Sequence, residues 1–118
     1  MQIKSDFLEG VHFLFLKGRM DSSTVKELKI KIHQIIKAKE AKIVIDLGSV
    51  DFIDSSGLGS LVASYRLVSQ EGGDVKLASP TPQTQSLLEL TRMDKLFDIF
   101  DHHLKAAESF GNTMLQKH

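Results

Sequence analysis

Val50-Asp51-Phe52-Ile53-Asp54-Ser55-Ser56-Gly57-Leu58-Gly59 is the stretch on which the fold turns. The apolar run Ile43-Val44-Ile45, closed by Asp46-Leu47, lies before it. Leu58, Leu61, Val62, Tyr65 and Val68 follow at helical spacing. The spacing predicts a buried strand that gives way to a helix across this segment. In open α/β sheets, ligands and chemistry gather where strand ends meet helix N-termini. Carboxylates (Asp51, Asp54), hydroxyls (Ser55, Ser56) and glycines (Gly57, Gly59) all meet at that point.

Towards the N-terminus, Ala41 to Leu47 reads as the central strand. Before it, Val25, Leu28, Ile32, Ile35 and Ile36 recur at helical spacing with lysines on the other face, so a helix starts near Thr24 and fades between Ala38 and Glu40. Thr24-Val25-Lys26-Glu27 has capping-box form, in which hydroxyl and carboxylate each satisfy an orphan backbone donor. Lys17 to Ser23 reads as a polar turn. Val11 to Leu16 is almost wholly apolar, as in a strand buried on both faces, and Gln2 to Leu8 is a strand joined to it through Glu9-Gly10.

Towards the C-terminus, Gly72-Gly73 ends the second helix and Asp74 to Ala78 is a short strand. Thr81 caps a third helix with Pro82 at its first position, and Leu87, Leu88 and Leu90 form its apolar side. Phe97, Ile99 and Phe100 mark a last strand. Leu104, Ala107, Phe110 and Met114 predict a closing helix over about 103–116, weakened by Gly111. The order β-β-α-β-α-β-α-β-α predicts an α/β domain with a mixed, mostly parallel sheet of about five strands and helices packed against it. One domain is expected over 1–118, with its core at about 11–100.

Composition narrows the function. Fifteen Lys plus Arg balance fifteen Asp plus Glu, so no net basicity points to nucleic acid. With no cysteine there are neither disulfides nor thiolate metal sites. No apolar run reaches the roughly 18 residues that span a bilayer, and Met1 to Asp6 is too polar for a signal peptide. A cytoplasmic protein without membrane insertion is expected.

The residues themselves leave two readings of Asp54-Ser55-Ser56-Gly57. In one, a serine is presented at a helix N-terminus, where unpaired N–H groups and the helix dipole favour a phosphoryl group; Gly57 and Gly59 leave the first turn bare for close approach. In the other, Asp54 or a serine is merely the N-cap. A catalytic serine needs a base. None of His12, His33, His102, His103 and His118 has an acid at a recognisable spacing, and the Gly-x-Ser-x-Gly elbow is absent, so no catalytic residue is assigned. Neither a dinucleotide fingerprint nor a P-loop occurs, and no cofactor is expected. Adjacent residues such as His102 and His103 point in different directions, so they read as solvated polar residues and not as metal ligands. Asp21-Ser22-Ser23 reads as a loop. If the second and third strands are parallel neighbours, Asp21 and Asp54 face one surface.

Asp51 to Gly59 closely resembles the phosphorylation motif of bacterial anti-sigma factor antagonists, the STAS-domain family. Gly18-Arg19-Met20-Asp21 is similar to that family's Gly-x-x-Asp turn, and the resemblance runs from about Val11 to Phe100. It implies that Ser55 is the phosphoacceptor. It also implies that Asp21 and Asp54, with Ser56, Gly57 and Leu58, lie in the surface a partner recognises. Such a protein is no enzyme but the substrate of one. Unphosphorylated, it binds an anti-sigma factor that is also a serine kinase and so releases a sigma factor; a metal-dependent serine phosphatase resets it. ATP and magnesium belong to the kinase, and a monomer or weak dimer is expected. The rival functions are a STAS adaptor in a transporter or signalling assembly, and a small serine hydrolase acting through Ser55.

Overall fold

The computed structural model describes residues 1–111. Its sheet is built outward from the two apolar runs. β1 (Gln2–Leu8) pairs antiparallel with β2 (Val11–Met20). β2 then pairs parallel with β3 (Lys42–Ile53), β3 with β4 (Asp74–Ala78), and β4 with β5 (Ile99–Phe100), giving the order β1-β2-β3-β4-β5. The helices are α1 (Val25–Ile35), α2 (Ser55–Gln70), α3 (Pro82–Leu90) and α4 (His103–Glu108), with one 3-10 turn at Met93–Lys95. This is the mixed, mostly parallel sheet that the sequence predicts.

The lack of alternation in β3 has its physical cause in two covered faces. Ile43, Ile45 and Leu47 pack on one side with Leu14, Leu16 and with Leu28, Ile32, Leu61, Val68 and Leu88 from α1, α2 and α3. Val44 packs on the other with Val11, Phe13, Ala78 and Ala106 of α4. Glu9 and Gly10, at φ 51° and 82°, form the two-residue turn whose twist suits a hairpin.

Several boundaries differ from those predicted. β2 does not stop at Leu16, nor β3 at Leu47. Both run on, to Met20 and Ile53, past the end of β4. Irregularities between Phe15 and Lys17 and between Gly18 and Arg19 absorb the polar, glycine-containing residues that read as turns. The first is braced by Asp46, whose carboxylate accepts from Gly48 N–H at 2.9 Å. α1 ends at Ile35, earlier than predicted. The Thr24 capping box does not form: the Thr24 hydroxyl donates to Arg19 C=O at 2.7 Å and accepts from Asp21 N–H at 2.9 Å, while Glu27 lies 3.9 Å from the Met1 amine. Leu90 is 82% exposed and no part of the apolar side of α3. α4 ends at Glu108, and Ser109 to Gly111, the last at φ 71°, form a turn where the helix is predicted to continue; residues 112–116 of that prediction, including Met114, lie outside the described residues.

His102 and His103 are not simply solvated. His102 caps α4, accepting from Leu104 N–H at 3.1 Å. His103 is half-buried, edge-on to Phe13 and Phe15, with Nδ1 3.6 Å from Asp46 Oδ2. Asp46 thus ties the β3 irregularity to α4. Thr81 caps α3 as predicted, accepting from Thr84 N–H at 3.2 Å. Thr81→Ala is expected to lower stability by about 1 kcal/mol, seen as a lower urea midpoint with an unchanged slope.

Candidate functional site

The two extended strand ends carry the candidate site. Arg19 pairs with Phe52 and Met20 with Ile53, so the next residues along, Asp21 and Asp54, leave adjacent parallel strands side by side. Asp54 N–H donates to Met20 C=O at 3.2 Å, which fixes the crossing from β3 into α2. Asp54 is also the N-cap, its side chain accepting from Gly57 N–H at 3.0 Å. The capping reading therefore holds for Asp54, and it leaves Ser55 free at the first helical position. Ser55 is exposed, Ser56 and Leu58 are half-buried, and Gly57 is buried.

Gly57 corrects one expectation. Its missing side chain does not open the turn to another protein; it lets α2 settle onto β2. A Cβ there would collide with the Met20 carbonyl oxygen and come within 2.9 Å of Met20 Cβ and Ile53 Cγ2. Gly59 does face open space, with nothing within 4 Å of its would-be Cβ.

Asp21 organises the turn from β2 to α1. Its Oδ1 accepts from Ser23 N–H at 3.0 Å and from the Ser23 hydroxyl at 2.6 Å, and its Oδ2 from Arg19 Nε at 3.2 Å. The Ser23 hydroxyl and then Arg19 hold its carboxyl below the usual carboxylate range. Asp21 is therefore an anion at neutral pH. What it adds to stability is present above the unfolded carboxylate range and is lost as pH falls through its lowered value.

Two residues next to the candidate site escaped the sequence reading. The Arg19 guanidinium lies 4.1 Å from the centre of the Phe52 ring, and Phe52 is 40% exposed. Arg19 is thus held between Phe52 and Asp21, a layer of cation, aromatic and carboxylate at the C-terminal ends of β2 and β3. The available signal was positional: Arg19 and Phe52 stand two residues before Asp21 and Asp54, so parallel pairing sets them opposite one another. Among the described residues no histidine hydrogen-bonds to Ser55. A Ser–Asp–His grouping does occur on the α4 side, but there the Ser79 hydroxyl donates to Asp46 Oδ2 at 2.8 Å and His103 faces the same oxygen. The acid, not the base, holds the serine, so the grouping is a brace.

The STAS domain profile matches residues 2–106, most of the chain. The chain belongs to the STAS domain family. This STAS domain is 29% identical over 107 residues to the anti-sigma F factor antagonist of Paenibacillus polymyxa, across 90% of the chain and 92% of that relative. It superposes with a TM-score of 0.82, at 27% identity, on the crystal structure of an anti-sigma factor antagonist from Mycobacterium paratuberculosis, covering 92% of both chains. The unphosphorylated form of the anti-sigma factor antagonist SpoIIAA shares the fold at a TM-score of 0.68 and 20% identity, over 92% of this chain and 96% of that one. Among the described residues no helix is long and apolar enough to cross a membrane.

Proposed function

We propose that this STAS domain is an anti-sigma factor antagonist whose partner binding is switched by phosphorylation of Ser55. The observation that carries the reading is the position of Ser55. It is the exposed serine of the segment, at the first turn of a long helix, beside the Asp21 turn. Unphosphorylated, the domain binds an anti-sigma factor that is also a serine kinase, in the cytoplasm, and a sigma factor is released. Phosphorylation ends that binding, and a metal-dependent serine phosphatase restores it. The contact surface comprises Asp21, Asp54, Ser56 and Leu58 around Ser55, joined by Arg19 and Phe52. Gly57 supports this surface from beneath.

Phosphopeptide mapping with the cognate kinase tests the acceptor. Ser55→Ala should abolish incorporation and Ser56→Ala should retain it; phosphate on Ser56 in the parent protein overturns the assignment. Asp21 is tested separately. Asp21→Asn keeps the Oδ1 acceptor for Ser23 and loses the charge facing Arg19. It should cost no more than about 1.5 kcal/mol of stability and leave the domain folded, yet weaken kinase binding in a calorimetric titration. Unchanged affinity would return Asp21 to a purely turn-forming role.

A further inference from the structure

We infer that the free edge of β1 joins two copies of this chain into a dimer with one continuous ten-stranded sheet. The sheet has two edges. β5 is two residues long, too short to template another strand. β1 is seven residues long, pairs with β2 without a register shift, and no other described strand pairs with it. It ends in Phe7 and Leu8, which are 61% and 56% exposed.

The edge is complementary to itself. The two-residue turn closes on Leu8 and Val11, so Leu8, Asp6 and Lys4 point their backbone groups at β2. Ile3, Ser5 and Phe7 then present N–H and C=O outward. An antiparallel pairing centred on Ser5 makes about six main-chain hydrogen bonds through these residues. It sets Ile3 against Phe7 of the second copy on one face of the sheet. On the other it sets Lys4 against Asp6 of the second copy, twice, at the closer non-hydrogen-bonded positions where opposite charges attract. Centring the pairing one residue to either side would place Lys4 against Lys4 or Asp6 against Asp6, and like charges directly opposite are destabilising. Lys4 and Asp6 are the charged residues of β1, so they select the one register that uses its whole length. A two-fold pairing also consumes both edges, so the assembly closes and does not grow into a fibre.

The two β2 strands then run in opposite directions. Their C-terminal ends, and with them the two Ser55 surfaces, lie at opposite ends of the joined sheet, clear of the contact.

Sedimentation velocity over a concentration series tests this on the full chain. The parent should form a dimer at high concentration. Lys4→Asp alone and Asp6→Lys alone should each associate at least about tenfold more weakly, since every ion pair becomes a like-charge pair. An equimolar mixture of these two variants should recover the dimer, because each now complements the other. Circular dichroism checks that both are folded, and the doubly exchanged chain, carrying Lys4→Asp and Asp6→Lys together, should dimerise alone. A parent that remains monomeric throughout overturns the inference. So do single variants that associate as the parent does, or folded variants whose mixture stays monomeric.

Discussion

Gly57→Ala should lower the stability of the domain by about 2 kcal/mol, whereas Gly59→Ala, two residues along the same helix, should leave it unchanged or raise it by up to about 1 kcal/mol. Both changes add one methyl group within the first five residues of α2. At Gly57 that methyl meets the Met20 carbonyl oxygen, Met20 Cβ and Ile53 Cγ2. The carbonyl cannot rotate aside, because it accepts the Asp54 N–H that seats the helix. Met20 is fully buried, so it cannot yield outward either. Overpacking of this kind costs about 1–3 kcal/mol, and more where backbone is struck. Alanine's better helix propensity offsets less than half of it. At Gly59 there is nothing to strike, and the propensity gain stands alone. Urea denaturation of the two variants side by side gives the comparison. Equal midpoints would mean that α2 does not rest on Met20 as described.

The same pair of glycines shows what the sequence could and could not convey. A glycine is legible as a place without a side chain, but not whether the vacated space is filled by the protein's own backbone or left to a partner. Burial on both faces made Val11 to Leu16 and Ile43 to Leu47 legible, because continuous apolar runs have few other uses. The ends of those strands were not legible. Asp46, Gly48 and Ser49 have turn composition, yet Asp46 accepts from Gly48 N–H and the strand continues. Local pattern also misled at Thr24, where a capping-box sequence is present but the hydroxyl serves the end of β2. His103 was hidden for a different reason: its partners, Phe13, Phe15 and Asp46, come from two other strands. The adjacency of Asp21 and Asp54 followed once β2 and β3 were taken as parallel neighbours. Arg19 and Phe52 needed the register as well, and two irregularities made that register unreadable in advance.

Phosphorylation of Ser55 should abolish high-affinity partner binding while leaving the fold intact. The modification adds about −1.5 to −2 charge at pH 7. Ser55 stands at the first position of α2, where unpaired N–H groups and the helix dipole favour an anion by roughly 0.3–2 kcal/mol. The Asp54 and Asp21 carboxylates oppose it. At a separation of ~6 Å two unit charges repel by about 3 kcal/mol with an effective dielectric of ~20, and by under about 1 kcal/mol in water. Asp54 directs one oxygen at Gly57 N–H, and Asp21 is partly neutralised by Arg19, so both anions are already engaged. Ser55 is exposed, which keeps the effective dielectric high. Within the free domain attraction and repulsion therefore nearly cancel. Docking a partner over Ser55 excludes water, so the same repulsion grows and the phosphate must be desolvated besides. An unpaired charge at a closed interface costs about 2–5 kcal/mol, roughly thirtyfold or more in affinity. Ser55→Asp carries a smaller charge and should follow the same direction, folding normally and binding weakly, while Ser55→Ala should bind as the parent does. Calorimetric titration with the unphosphorylated and phosphorylated domain measures the difference. Equal affinities would remove Ser55 from the interface, and loss of native circular dichroism on phosphorylation would show that the charge acts on the fold and not on the complex.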